Sequence, residues 1–175
     1  MVAIEGGAMR EQLTEKDVER IEAEIEHRKL VVRKEAIEAV KEARAHGDLS
    51  ENFEYHAAKK DKNKNESRIR YLERMLRTAE IISEESAADE VGLNDTVTLF
   101  FEEDDECDEF RLVTTIRGNS LKNMISIESP LGKAIQGKKL GERVLVPVGN
   151  NGGYYVEIRE IRKTGDDGSD TIRSY

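Results

Sequence analysis

The sequence predicts an α+β protein in which an antiparallel α-helical coiled-coil hairpin is followed by a small, mostly β domain. The two prolines of the chain, Pro130 and Pro147, both come late, so the first 129 residues contain no helix-breaking ring. Apolar residues recur there at helical intervals, whereas short β-branched and aromatic runs separated by glycines dominate after residue 90. Charged residues make up 37% of the chain, which favours an exposed helical element beside a compact core.

The first helix is predicted to follow a flexible leader over residues 1–12. Thr14 is a suitable N-cap, and Asp17 stands three positions later, where a short acid reaches back to the helix start. We expect this helix to run to about His46, which makes it about 50 Å long at 1.5 Å per residue. Its apolar face combines three- and four-residue intervals: Val18, Ile21, Ile25, Val32, Ala36, Ala39 and Ala43.

A second helix is predicted from about Glu51 to about Ile81. Gly47 ends the first helix, because glycine tolerates the left-handed conformation found at helix ends, and the short loop forces the two helices to lie antiparallel. The second helix repeats its seam positions every seven residues: Ala58, Asn65, Leu72 and Ala79, with Ile69 and Leu76 between them. The seam holds isoleucine and leucine far from the turn but alanine, Lys62 and Asn65 near it, so we expect a slim, weakly packed end.

The remaining chain is predicted to form the β domain and its flanking segments. We expect strands over residues 96–101, 110–117, 124–128, 143–148 and 154–161. Ser129 as N-cap and Pro130 at the first helical position predict a short helix to Gly137. The expected domain organisation is a leader over 1–12, the hairpin over 13–82, a linker over 83–90, the β domain over 91–163 and a polar tail over 164–175.

Charge and cysteine content exclude several classes of protein. The net charge of −9 argues against sequence-independent coating of DNA. Residues 14–80 carry 16 basic and 16 acidic side chains, whereas residues 81–175 carry 11 basic and 19 acidic ones. Cys107 is the single cysteine, so no intramolecular disulfide or cysteine-rich zinc site is possible, and we expect a surface thiol. No signal peptide or membrane span is predicted, which favours a cytoplasmic protein with no membrane partner.

The region around the predicted turn, residues 42–59, is called the tip below. It groups three carboxylates within seven residues: Asp48, Glu51 and Glu54. Carboxylate oxygens are ligands that Mg²⁺ prefers, although so few of them hold the ion only if a partner supplies the rest. The same spacing of Asp48 and Glu51 also matches a capping box that begins a helix. The two interpretations are compatible and both stay open.

Basic and aromatic side chains accompany these acids. The basic residues form a strip that either contacts phosphates or is a solvated helix face: Arg44, Lys59, Lys60, Lys62, Lys64, Arg68, Arg70, Arg74 and Arg77. Phe53 and Tyr55 either stack on a base or pack the first helical turn. The two histidines that flank the turn, His46 and His56, lack a zinc-binding pattern, so local packing is expected.

Two segments carry a resemblance to a known family. Residues 42–59, EARAHGDLSENFEYHAAK, resemble the tip signature of the GreA/GreB transcript-cleavage factors. Residues 129–138, SPLGKAIQGK, resemble the signature of their C-terminal domain. The resemblance extends over roughly residues 13–162, and two motifs in the family's order and separation make a far more specific match than either one alone.

The resemblance implies a fold and a partner. The hairpin would enter the secondary channel of RNA polymerase, and the C-terminal domain, similar in fold to FK506-binding proteins, would dock at the channel entrance. Asp48 and Glu51 match the acids that help hold a Mg²⁺ ion shared with the polymerase active site, where the 3′ end of backtracked RNA is cut. The protein itself would then be no enzyme, would bind no Mg²⁺ stably when isolated, and would be a monomer.

The resemblance also implies contacts to RNA or polymerase by Arg44 and Lys59, with Tyr55 and Asn52 beside them. The sequence departs from the family where Phe53 replaces the usual alanine and where Lys34 replaces a frequent proline. A channel-binding regulator that inhibits polymerase without cleavage therefore stays an alternative. A prolyl isomerase or chaperone is a weaker one, because the β domain has no tryptophan to line a pocket.

Overall fold

The computed structural model of the chain describes residues 10–47 and 51–174. These residues form two compact units, which are described separately. The helical unit is built on Asp17–Glu80, and the sheet unit on Gln12–Lys16 together with Ile81–Tyr175. Within the described residues, no helix is long and apolar enough to cross a membrane.

The first helix of the hairpin is interrupted once. Helix α1 spans Glu15–His27, a π-helical turn spans Arg28–Val32, and helix α2 spans Arg33–Arg44. The expected end at His46 is two residues too late, since Ala45 and His46 form a turn. Gly47 follows with a φ of 120°, which confirms that a residue tolerating positive φ ends this helix.

The second helix is shorter than expected at both ends. Helix α3 spans Phe53–Thr78, because Asn52 caps its start and its last turn gives way to extended chain. Two short strands, β1 over Gln12–Leu13 and β2 over Glu80–Ile81, form a two-stranded sheet. Residue 12, expected in the leader, and Ile81, expected in the helix, thus belong to strands.

The seam between α1–α2 and α3 changes character along its length. Its apolar part buries Ile21, Ile25, Ile69, Leu72 and Met75. A polar part follows around the π turn, where the buried residues are Asn65 and Arg68. Toward the tip the buried residues are Ala43 and Tyr55, whereas Ala39 is exposed. The expected slim end is confirmed, but Ala39 is no part of the seam.

The sheet unit contains a five-stranded mixed sheet. Its strands are β3 (Thr96–Phe101), β4 (Glu106–Val113), β5 (Met124–Ser126), β6 (Arg143–Pro147) and β7 (Gly153–Arg162). Their order is β5-β4-β3-β7-β6, in which the β4–β5 pair is parallel and the other pairs are antiparallel. Helix α4 (Pro130–Ile135) begins as predicted, with the Ser129 hydroxyl accepting a hydrogen bond from the Gly132 N–H.

An apolar core lies on one face of this sheet. Val97, Leu99 and Leu112 from the strands pack with Ile135 of α4 and with Val91 from the preceding loop. The alternating burial of β3 and β6 puts every second side chain into this core. The observed helical hairpin and mixed-sheet domain confirm the predicted α+β class.

One expectation for the sheet unit needs correction, and the structure adds detail to another. The predicted strand over 110–117 begins four residues earlier, at Glu106, and ends at Val113, while residues 115–117 form a 3₁₀ turn. The predicted polar tail makes specific contacts, because Asp170 accepts hydrogen bonds from Arg111 and Arg117. The Arg173 N–H also donates to the Ile116 carbonyl at 2.8 Å.

Candidate functional site at the tip of the helical unit

Two of the three tip carboxylates, Glu51 and Glu54, fall within the described residues. Asp48 lies outside the described residues, so the prediction of its role stays a prediction. Glu51 is exposed in a bend, and Glu54 is exposed in the first turn of α3. Because Asn52 is the N-cap of α3, Glu51 precedes the cap and cannot take the third helical position of a capping box. The capping-box interpretation is therefore wrong for Glu51, which lies before the N-cap of α3.

Asn52 joins the two helices at the tip with both ends of its side-chain amide. Its Oδ1 accepts a hydrogen bond from the Tyr55 N–H at 3.0 Å, which caps α3. Its Nδ2 donates to the Ala43 carbonyl at 2.7 Å, which links the start of α3 to the last turn of α2. Since both polar ends are used within the tip, Asn52 has a structural role, and its predicted contact with RNA or polymerase stays a prediction.

Tyr55 packs between the helices instead of facing solvent. It is 9% exposed, and the Arg44 guanidinium carbon lies 5.6 Å from its ring centroid. A hydrogen bond from Arg44 lowers the pKa of the Tyr55 hydroxyl, burial offsets part of this, and the positive charges of Lys59 and Arg44 lower the pKa further. Arg44 is thus held at Tyr55, while the predicted contacts of Arg44 and Lys59 with RNA or polymerase stay predictions.

The structure distinguishes between packing and exposure for the aromatic side chains of the tip, Phe53 and Tyr55. Tyr55 packs, and its ring meets that of His56 edge-on at 5.5 Å, which confirms local packing for this histidine. Phe53 does the opposite, because 87% of it is exposed. The packing interpretation is therefore wrong for Phe53 and right for Tyr55.

Two members of the basic strip predicted along α3 are not exposed, since Lys62 is half-buried and Arg68 is buried. Arg68 is 5% exposed and donates to the Glu24 carboxylate at 2.9 Å and 3.3 Å, so it stabilises the seam. The strip members that stay exposed on α3 are Lys59, Lys60, Lys64, Arg70, Arg74 and Arg77. Among the described residues, no group of three or more histidine, cysteine, aspartate or glutamate side chains is arranged to hold a metal ion.

Comparison with known proteins decides the family. The family model "Transcription elongation factor, N-terminal" matches residues 11–81, and "Transcription elongation factor, GreA/GreB, C-term" matches residues 85–163. The chain belongs to the GreA/GreB family of transcription elongation factors. The resemblance predicted from the two signature segments is thereby confirmed.

Curated relatives agree over most of the chain. Transcription elongation factor GreA of Caldanaerobacter subterraneus subsp. tengcongensis is 43% identical over 86% of this chain and 96% of its own length. The GreA of Macrococcus caseolyticus is 40% identical over 85% of this chain and 94% of its own length. The solved GreA factor homolog 1 (Gfh1) of Thermus thermophilus is 27% identical, with a TM-score of 0.41, over 88% of this chain and 99% of that one.

Sequence reasoning named Asn52 and Arg68 but missed their structural roles at the tip and in the seam. Asparagine is a preferred N-cap, so the signal for Asn52 was present, but the stronger-looking spacing of Asp48 and Glu51 competed with it. The burial of Arg68 had a weaker signal. Its partner Glu24 lies 44 positions away, and no local pattern links the two.

Proposed function

We propose that this GreA/GreB family member binds RNA polymerase and stimulates the polymerase's own cleavage of the 3′ end of backtracked RNA. The hairpin enters the secondary channel, and Asp48 and Glu51 reach the polymerase active site. Water joins the phosphorus of the scissile phosphodiester, the bond from phosphorus to the upstream 3′ oxygen breaks, and that oxygen leaves as a new 3′ hydroxyl. The chain itself is not an enzyme, because polymerase supplies the active site.

The exposed carboxylate of Glu51 is the observation that carries this proposal. It stands outside the helix cap, at the end of a hairpin whose seam there buries only Ala43 and Tyr55 among the described residues. A carboxylate that neither caps a helix nor packs is available to a partner. The Asn52 side chain fixes the backbone beside it from both helices, which limits the positions that Glu51 can take.

Asp48 and Glu51 would share a Mg²⁺ ion with the polymerase active site. Magnesium prefers octahedral oxygen ligation, and two carboxylates supply only part of that set. The two side chains would therefore complete a coordination sphere that the polymerase begins. When bound, such an ion supplies charge stabilisation and activates water for attack.

The cations beside the acids favour a nucleic-acid ligand. Arg44 is held over the Tyr55 ring, and the hydroxyl of that ring lies in the field of both Arg44 and Lys59. This arrangement lets Tyr55 position Arg44, while the exposed Lys59 ammonium is open to a phosphate. The carboxylates thus stand next to groups that would hold the RNA strand.

Cleavage in backtracked elongation complexes tests the proposal. Glu51→Gln removes the negative charge and keeps the size of the side chain. We expect the stimulated rate to fall by about 100-fold or more, the range seen when one charge-stabilising group is removed from an active site. Asp48→Asn should act in the same way.

Glu35→Gln is the matched control, because Glu35 is an exposed carboxylate in the first turn of α2, away from the tip. It should cleave like the unaltered chain. Cleavage at an unchanged rate by Glu51→Gln would show that the carboxylate is no metal ligand. Slower nucleotide addition with no cleavage at any Mg²⁺ concentration would instead identify an inhibitory regulator of the same channel.

A further inference from the structure

One exposed face of α3 begins at the tip, with Phe53, and does not include Glu51 or Glu54. Phe53 is the first residue of the helix, and residues that follow at intervals of three, four and seven share its side. These residues, which we call the outer stripe, are Phe53, His56, Ala57, Lys60 and Lys64. All five are exposed, whereas Tyr55, Asn65 and Ile69 on the opposite side are buried.

The chemistry of the outer stripe changes in order along the helix. It starts with an aromatic ring that is 87% exposed, continues with an imidazole and a methyl group, and ends with two ammonium groups. The Cα atoms of Lys60 and Lys64 are about 6 Å apart along the axis, and Phe53 lies about 10 Å before Lys60. Within the described residues, neither lysine is engaged in an ion pair.

This order favours a nucleic-acid strand over an apolar protein surface. Protein interfaces place their anchors in a contiguous apolar patch, but Phe53 has exposed carboxylates at Glu51 and Glu54 as neighbours. The other exposed large apolar side chains described in the helical unit are Leu30, Val31 and Ile37, which lie in the π turn and within α2. A nucleobase needs only one aromatic face, and phosphates need the ammonium groups that follow.

We propose that the outer stripe binds the extruded RNA strand, with Phe53 stacked on a base and with Lys60 and Lys64 on phosphates. This inference rests on the proposed function, since it assigns the RNA contact of the same tip. It separates three tasks: Glu51 serves the metal, Tyr55 positions Arg44, and Phe53 contacts RNA. Phe53, which contacts the base, and Glu51, which serves the metal, would then lie only two residues apart.

Binding, measured separately from cleavage, distinguishes this inference from the proposed function. The affinity of the chain is compared for polymerase complexes that are backtracked, with extruded RNA, and for complexes that are not. Stacking on an aromatic side chain is worth about 1–3 kcal/mol per base, so Phe53→Ala should weaken binding to backtracked complexes about 5- to 150-fold. Binding to complexes without extruded RNA should not change.

Two further substitutions separate stacking from apolar contact. Phe53→Trp keeps an aromatic face and should retain binding, whereas Phe53→Leu keeps apolar bulk and should lose it. An abasic residue at the RNA 3′ end should weaken the unaltered chain and leave Phe53→Ala unaffected. Circular dichroism checks that each variant keeps its helix content.

The phosphate contacts of Lys60 and Lys64 are tested by the salt dependence of binding. Each phosphate contact to a single strand contributes about 0.7 to the slope of log affinity against log salt concentration, so Lys60→Ala and Lys64→Ala should each lower that slope by about this amount. Lys34→Ala, an exposed cation in α2 outside the basic strip, is the control and should not change the slope.

Several outcomes overturn the inference while leaving the proposed function intact. They are full binding by Phe53→Ala, full binding by Phe53→Leu, or an equal loss for both kinds of complex, which would assign Phe53 to a contact with polymerase. If the unaltered chain binds backtracked complexes tightly but never stimulates cleavage, the proposed function fails and the RNA contact is still tested.

Discussion

The two units of the molecule are stabilised in different ways. In the sheet unit, Val97, Leu99 and Leu112 are fully buried in one continuous apolar core. In the helical unit, the seam is apolar at one end and ionic in the middle, and it buries few apolar side chains at the tip. The described seam at the tip, next to the candidate acid Glu51, thus depends more on hydrogen bonds such as those of Asn52, which stabilise less per contact than apolar burial does.

Both units also bury an arginine, and the comparison extends to how each one is paired. Arg68 meets the Glu24 carboxylate across the helical seam at 2.9 Å. Arg117 is 1% exposed and meets Asp170 at 3.0 Å, Asp166 at 3.7 Å and the Asn94 side chain at 2.7 Å. The two aspartates come from the tail, beyond the 85–163 segment matched by the family model. The tail is therefore part of the sheet unit's packing.

The largest stability effect is expected for the apolar core. Leu99→Ala should lower the free energy of unfolding of the sheet unit by about 3 kcal/mol, because it leaves a cavity at a fully buried position. Hydrogen exchange, resolved by unit, together with urea denaturation measures the loss. Leu145→Ala, at a half-exposed position in β6, should change stability by less than about 0.5 kcal/mol. An equal rise of exchange in both units would show that their stabilities are not separate.

A smaller effect is expected at the tail. Asp170→Ala removes the carboxylate that pairs with Arg111 and Arg117, and the remaining partners compensate only in part. The sheet unit should lose about 2 kcal/mol, the range for hydrogen bonds to charged groups. Thermal unfolding measures this, with Asp167→Ala, an exposed neighbour, as the control. Two variants with the same melting temperature would mean that the tail contributes nothing to the fold.

The smallest effect is expected for the ionic seam, and it depends on pH. Burial opposes ionisation of the Glu24 carboxyl, but hydrogen bonds from Arg68 and Arg28 outweigh it and lower its pKa. Because the folded pKa lies below the unfolded value of about 4.3, the stabilisation is present above that pH and is lost as pH falls through the folded pKa.

Glu24→Gln should therefore destabilise the helical unit by about 1 kcal/mol at pH 7, since the carboxylate is partly exposed and screened. Below the folded pKa of Glu24, the variant and the unaltered chain should have nearly the same stability. Glu38→Gln, which breaks an exposed pair with Lys41, is the control. A destabilisation that persists undiminished in acid would mean that packing, and not charge, explains the Glu24 effect.

The sequence predicted those parts of the fold that depend on local patterns. Helical spacing, the absence of early proline, and Ser129 before Pro130 each correspond to an element in the structure. The start of β4 was hidden because residues 106–109 are exposed and mostly acidic, so they carry no alternating apolar signal. The tail was described only as polar, because its partners Arg111 and Arg117 lie more than 50 positions away.

The candidate site was predictable in composition but not in arrangement. The acids, cations and aromatics of the tip were all identified from the sequence. The side of α3 that each of these side chains faces depends on the residue at which the helix begins. A start at Phe53, set by Asn52, turns Tyr55 inward and Phe53 outward.

The π turn at Arg28–Val32 has a mechanical consequence. In this turn the Arg33 N–H donates to the carbonyl of Arg28, five residues earlier. The resulting wider turn separates the two regular helices α1 and α2. The Asn65 Nδ2 donates to that same carbonyl from α3 at 3.3 Å, and the Arg28 guanidinium returns a bond to the Asn65 Oδ1 at 3.0 Å. Under a bending load, α1 and α2 would behave as stiff rods and this turn as their joint. The Asn65 amide ties this joint to α3 together with the Arg33–Glu66 and Lys29–Glu73 ion pairs, so these contacts would limit bending at that point.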